Sequence, residues 1–355
     1  SGKGQAVADG VTHTEDFSLT VSCADGVSLK ATATDGARFV SWSGAPVPEG
    51  FDEAAETLLK PVDDGTVTVA FVEGAVRRVW TGRVSDDIAT PANWTPASTM
   101  TAEDELYVTN GTLTASAPFA AEKLVLAGET TFTVVAIPLG DGVPSTSAKL
   151  YANPTVVTVA GEFLVDDTAT VVCENDSKTG AAVRFDVGAL ALAEDATITS
   201  DAKGWNWYLS SNDPLATYTQ DKYQSRALGA GGDDTKGDAW MQAAGHGAVG
   251  SRYSGTRVHY GDAYGQELAP FEPGSPNGLQ NHSINNGTTG GGTVWIRCGG
   301  TCAVAGTITA NGGQAQYSSG SGGSIWISAK TFESAETAVL SVRGGDMTGS
   351  TIYPA

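Results

Sequence analysis

A chain of 355 residues with 40 Asp and Glu against 20 Lys and Arg carries a formal charge of −20, which excludes nucleic acid as a partner, because phosphate binding depends on Lys and Arg displacing counterions. No apolar run reaches the roughly 18 residues that a membrane-crossing helix needs, so no direct membrane insertion is expected. What remains is an acidic surface suited to an extracellular setting or to calcium capture, with four cysteines, few for a disulfide-built secreted scaffold.

Residues 1–13, opening Ser1-Gly2-Lys3-Gly4-Gln5, read as a linker or remnant with no signal peptide in view. At the other end Thr351-Ile352-Tyr353-Pro354-Ala355 follows a strand-like segment, and the expectation is a piece of a longer polypeptide or assembly. Helical periodicity is nearly absent: only Asp52 to Leu59 offers a helical turn or two. Elsewhere short runs rich in Val, Thr and Ile are punctuated by Gly, Asp, Asn and Pro, which predicts an all-β protein.

Residues 14–76 form a first β domain. Phe17-Ser18-Leu19-Thr20-Val21 and Val27-Ser28-Leu29-Lys30-Ala31-Thr32-Ala33 alternate cleanly, then Gly36-Ala37-Arg38-Phe39-Val40-Ser41-Trp42 and Val67-Thr68-Val69-Ala70-Phe71 close the unit. This order resembles the internalin-type bacterial B-repeat. The resemblance implies a small β-grasp-like spacer in a surface protein, with Phe39, Trp42 and Phe71 as core residues.

Residues 77–355 form the second unit. A capping segment, 77–100, holds Val79-Trp80-Thr81-Gly82 and Pro91-Ala92-Asn93-Trp94, which resembles the entry segment of autotransporter-like β-helical passengers. Two Trp residues bracketing a polar loop can cover apolar surface and unpaired strand edges at the open end of a stack. From Glu105 to Thr199 one short strand follows another, linked by short turns, and Asn110-Gly111 is the lone hairpin signal. The fold expected is a right-handed parallel β-helix, a solenoid, rather than a sandwich.

The segment 204–290 is a long aromatic and glycine-rich loop, and long loops inside compact domains are commonly functional. With the strands after it, Gly291-Gly292-Thr293-Val294-Trp295-Ile296 and Gly322-Gly323-Ser324-Ile325-Trp326-Ile327, it resembles the glycine-rich β-helical segment of large bacterial surface proteins. That resemblance implies architecture but no active site. The repeated Trp predicts Trp295 and Trp326 stacked on successive steps.

The loop carries the candidate chemistry. For sugar stacking it offers Trp205, Trp207, Tyr208 and Trp240, whose rings suit sugar C–H faces; Trp205 and Trp207 can equally plug the core beneath the loop. For catalysis the candidates are His246, His259, Arg252, Arg257, Tyr260 and Asp262, able to supply a base and a cation that neutralises a substrate carboxylate. His246 between glycines can instead clasp a loop by bonding carbonyls or lying under an aromatic ring. Asp233, Asp234 and Asp238 make an oxygen-rich turn for calcium but lack EF-hand spacing. Cys298 and Cys302 leave open a local disulfide or two buried thiols. Two functions are expected from these features: a secreted or cell-surface structural or adhesion module contacting a glycan or cell-surface polysaccharide, or a polysaccharide lyase or glycoside hydrolase working through the loop.

Overall fold

The computed structural model describes residues 4–14, 25–33, 37–44, 56–60, 65–73, 76–97, 100–140, 142–209, 213–216, 218–220, 223–229, 244–248, 263–277, 288–314 and 319–346. Among them strands dominate, and the one α-helix is the short Ser147–Ala152.

The N-terminal part has its own apolar core. Strand Val27–Ala33 turns Val27, Leu29 and Ala31 inward and Ser28, Lys30 and Thr32 outward, the period-2 alternation of a half-buried strand. It is flanked antiparallel by Gly4–Ala8 and Glu56–Leu59, and Val11–His13 adds to the far edge. A separate antiparallel pair, Ala37–Ser43 with Thr68–Glu73, brings Trp42 and Phe39 onto the same core as Leu29 and Leu59. Two expectations are corrected here. Gly4–Ala8 and Val11–His13 lie in what was read as a linker, yet Ala6 and Ala8 are buried core. The segment read as helical contributes strand Glu56–Leu59 instead, because pairing Leu59 with Val27 buries it, whereas a helix of one or two turns cannot repay its nucleation. The predicted strand Phe17 to Val21 lies outside the described residues, as does Cys23.

From residue 77 onward the two large sheets are built almost wholly of parallel strands. One sheet runs, in order, Ser324–Ser334, Thr293–Val304, Val183–Leu192, Thr155–Val165, Lys123–Leu126, Glu105–Val108, Arg77–Trp80 and Trp94–Thr95, with Phe119–Ala121 also pairing onto Thr155–Val165; only the last pair is antiparallel. The second sheet orders Gly111–Ala115, Thr130–Val135, Thr170–Glu174, Thr197–Thr199, Thr307–Thr309 and Val339–Ser341. From Glu105–Val108 on, the strands of these two sheets alternate along the chain, with Phe119–Ala121 and Lys123–Leu126 together making one step in the larger sheet. Asn110-Gly111 therefore turns a corner from Glu105–Val108 in one sheet to Gly111–Ala115 in the other and makes no hairpin; Gly111 supplies the positive φ, +113°, that the corner requires.

Register places side chains in columns, one residue per strand, and the columns meet in a single core. Leu106, Leu124, Phe163, Leu190 and Cys302 are successive partners, as are Leu113, Phe132, Val171, Ile198 and Ile308. All ten are at most 2 % exposed. The longest strands of the larger sheet shift register between Val159 and Glu162, Val187 and Leu190, and Cys298 and Thr301. At this bulge Gly188 sits against the carbonyls of Ala160 and Gly161, where a Cβ would collide with backbone.

The two ends of the stack differ. At the first strands Trp80 and Trp94 meet edge to face at 5.0 Å, and the Trp94 indole N–H donates to the Ile88 carbonyl at 2.8 Å. Beside them Arg78 and Asp104 form an ion pair at 2.6 Å, 2 % and 1 % exposed. Asp104 also accepts the amides of Val76 and Thr101, and Arg78 donates to the Pro96 carbonyl. At the last strands the core columns open: Phe332 and Leu340, which follow Cys302 and Ile308, are 47 % and 48 % exposed.

Among the described residues of 200–292, none joins either parallel sheet. Tyr208–Leu209, Tyr218–Gln220 and Tyr223–Ser225 make a small antiparallel sheet. The stretch Gly290–Gly292 then bonds several segments at once: Gly290 N–H to Trp205 O at 3.1 Å, Gly291 N–H to Ser321 O at 2.9 Å and Gly292 N–H to Ser200 O at 2.7 Å, while Gly291 O accepts from Gly274 at 2.7 Å. A sheet strand has two neighbours; this one has more, and only side-chain-free backbones approach so closely.

Candidate functional site

The outward face of the larger sheet carries a constructed surface. Within its long strands Val157, Val159, Phe185, Val187, Val294 and Ile296 point inward. The intervening outward positions line up by register into two columns: Val156, Arg184, Trp295 and Trp326, and beside it Thr158, Asp186, Arg297 and Ser328.

The first column is aromatic and covered. The rings of Trp295 and Trp326 stack at 5.0 Å with planes 19° apart, close to the strand spacing of about 4.8 Å, as the repeated Gly-Gly-[Thr/Ser]-[Val/Ile]-Trp-Ile pattern predicts. The helix Ser147–Ala152, N-capped by the Thr146 side chain, buries Leu150 and lays Tyr151 over Trp295 at 5.5 Å. Phe271 packs beside Tyr151 at 5.3 Å and against Trp295 at 6.0 Å, leaving Trp295 1 % exposed but Tyr151 50 % exposed. Arg184 sits 5.0 Å from the Trp295 ring centre, a cation–π contact, while its fork engages both oxygens of Asp186 at 2.9 and 2.8 Å.

The second column borders a shallow open groove of about 460 Å³, with Asp186, Arg297 and Ser328 along it and Gly188 and Gly299 in its lining. The Arg297 side chain is 56 % exposed, its Nε 4.0 Å from Asp186. Cys298, beneath the groove, donates to the Thr301 carbonyl at 3.2 Å. Cys173, Cys298 and Cys302 are all buried free thiols, so of the two readings of Cys298 and Cys302 the thiols hold, both lying within one extended strand. Burial pushes the Cys302 thiol up to about 12, with Cys298 adding to the effect, so neither thiolate chemistry nor metal ligation is favoured there.

His246 occupies a second polar cluster. Its Nδ1–H donates to the Gly322 carbonyl at 2.8 Å, its ring lies 4.7 Å from that of Tyr264, and its Nε2 stands 3.5 Å from Ser324 Oγ. Ser324 donates to the Glu272 carbonyl at 2.6 Å and is 3 % exposed, which withholds its hydroxyl from any substrate. Burial lowers the pKa of His246 below its ordinary value, opposed in part by the Gly322 carbonyl and the Glu272 charge. A neutral imidazole tying segment 263–277 to the last strands is the chemistry this arrangement performs.

Of the other residues singled out from sequence, Trp205 and Trp207 are 0 % and 2 % exposed. Trp207 donates to the Asn277 carbonyl at 2.7 Å and Trp205 packs against Gly180. Both are core, with no face left for a sugar. Tyr208 opens the strand Tyr208–Leu209, its side chain outside the described residues, as are Trp240, Arg252, Arg257, His259, Tyr260, Asp262 and the acidic turn Asp233, Asp234 and Asp238. Among the described residues no three His, Cys, Asp or Glu side chains gather as a metal site. The groove itself was missed from sequence. Its signal is a charged residue in the outward phase of an apolar strand, two places before glycine: Asp186 before Gly188 and Arg297 before Gly299.

Compared with known proteins, the chain matches no family model, no curated protein and no solved structure.

Proposed function

We propose that the chain is an extracellular, cell-surface structural or adhesion module in which a B-repeat-like, β-grasp-like spacer precedes a right-handed parallel β-helix, and that it contacts glycans through the lateral groove without chemistry. The observation that carries this reading is the polar column Asp186, Arg297 and Ser328 running beside the half-exposed Tyr151. Glycan surfaces pair an aromatic face with a few fixed polar groups in this manner. Right-handed crossovers are the rule for parallel strands, which supports the handedness. Binding is favoured over a lyase or hydrolase because Asp186, the groove's carboxylate, already has both oxygens engaged by Arg184, and among the described residues a second carboxylate to pair with it for hydrolysis is absent from the groove lining.

The test is a screen of the purified protein against immobilised neutral and acidic polysaccharides, with reducing ends and absorbance at 235 nm followed in parallel. Saturable binding without product is expected, weakened by Tyr151→Ala. Release of reducing ends or unsaturated product would replace this reading by the enzymatic one, and failure to retain any glycan would remove both.

A further inference from the structure

Resting on the glycan reading of the groove, we infer that its ligand is an anionic sugar, carboxylated or sulfated, held by Arg297. The local charge count differs from that of the molecule. In a chain of net charge −20, this strip places two guanidinium groups around one carboxylate. Asp186 is saturated by Arg184, whose two hydrogen bonds use both oxygens. Arg184 is further fixed by the Trp295 ring and its side chain is only 17 % exposed. Arg297 is left with a single 4.0 Å approach to Asp186 and a side chain 56 % in solvent. An exposed pair of that geometry is worth little, so the planar fork of Arg297 is open to a better partner, and carboxylate or sulfate oxygens match it bidentately.

The surroundings extend the same preference. Lys330, exposed, continues the outward phase of Ser324–Ser334 after Trp326 and Ser328. It falls at the bulge, between the partners Cys298–Ala329 and Thr301–Thr331, where Gly299 and Gly300 of the preceding strand face it alone. A second cation therefore follows the groove residue Ser328 by two positions on the last strand, and Ser328, the register partner of Arg297, adds a neutral hydroxyl. Beyond the bulge, Glu162 is itself paired with Lys123 at 2.7 Å. On the side of Arg297 away from the glycine-lined floor, the aromatic column is two residues away along the strand, about 6.6 Å at about 3.3 Å per residue. A sugar ring lying toward Tyr151 thus brings an acidic substituent within one hydrogen bond of Arg297. Arg297 in the groove and Lys330 on the strand beside it also concentrate anions locally, in a manner salt weakens.

The experiment titrates wild type and Arg297→Gln with oligogalacturonides, the same oligomers fully methyl-esterified, sulfated galactan oligosaccharides, and neutral galactan oligosaccharides. Free oligogalacturonides or sulfated oligomers should bind at least tenfold more tightly than their neutral counterparts, with affinity falling as salt rises. Arg297→Gln should remove that difference while leaving thermal unfolding unchanged, and Arg297→Lys should restore part of it. The two acidic arms separate carboxylate from sulfate as the preferred group. Equal binding of free and esterified oligomers, indifferent to Arg297, would overturn this inference and leave the glycan reading standing. Binding of no oligomer at all would overturn both.

Discussion

The two ends of the parallel stack face the same physical problem and treat it differently. Any stack of strands ends in an apolar column and a row of unpaired backbone groups. At the first strands the chain folds Trp94 back antiparallel onto Trp80 and seals the edge with the buried Arg78–Asp104 pair. At the last, Phe332 and Leu340 stand half exposed at column positions that are closed one step earlier, and the polar fastenings are single hydrogen bonds such as Ser341 to Asn311 and His246 to the Gly322 carbonyl. The closed end rests on a few fully buried contacts, whereas the open end is held by its ladder to the strand below, the stacking of Trp326 on Trp295 and a few partly exposed hydrogen bonds. Mutations should therefore be severe at one end and mild at the other.

The largest effect is expected at the ion pair. Asp104→Ala removes the carboxylate that faces the buried Arg78 guanidinium, which costs about 3–5 kcal/mol, read as a lower midpoint in urea unfolding. The double variant Arg78→Met with Asp104→Leu should recover most of that loss, because it removes both charges together. A loss under about 1 kcal/mol for Asp104→Ala would mean that this end is not sealed as described. Next, the column shared by both ends allows a direct contrast. Leu113→Ala, at a fully buried position, should cost about 2–5 kcal/mol, and Leu340→Ala, half exposed in the same column, under about 1 kcal/mol. Equal costs would erase the distinction between the ends.

A smaller effect concerns the histidine fastening. The folded pKa of His246 lies below the ordinary 6.5, chiefly through burial, so the unfolded chain takes up a proton first as pH falls. Stability is then fully present above about pH 6.5 and declines below it, toward the folded pKa, with a slope no steeper than about 1.4 kcal/mol per pH unit. His246→Gln should flatten that part of the stability curve; an unchanged curve would show that the imidazole does not fasten the open end. The smallest expected change is none. Cys173 and Cys302, both pushed up to about 12 by burial, should stay unmodified by a thiol reagent at pH 8 and react only in denaturant, as peptide mass spectrometry would register.

Much of the fold was legible because a stacked sheet writes its register into sequence. Val156-Val157-Thr158-Val159 and Ala182-Val183-Arg184-Phe185-Asp186-Val187 show the alternation that the burial pattern repeats, and the recurring Trp marks successive strands. Glu56–Leu59 misled, since its acidic and alanine-rich approach suits a helix until the pairing of Leu59 with Val27 is known. The same limit hid the groove. Arg184 and Asp186 are two residues apart in one strand and Arg297 belongs to another, so their convergence depends on a register no single strand discloses. Trp205 and Trp207 were ambiguous in sequence because an aromatic pair at alternate positions serves a core and a ligand platform equally well.

One feature of the stack bears on how such a chain can change. Thr309 and Thr199 hydrogen-bond at 2.9 Å although 110 residues separate them, while Ser341 and Asn311, on the next pair of strands, meet at 2.7 Å across only 30. Loop closure grows by only about 0.6 kcal/mol for each doubling of length. The longer detour therefore adds on the order of 1 kcal/mol, less than a single buried leucine returns. The corner between Thr199 and Thr293 therefore admits a long excursion at little entropic cost: the ladder on either side closes in the same register across it, while Trp205, Trp207 and Phe271 anchor the excursion in the core of the stack.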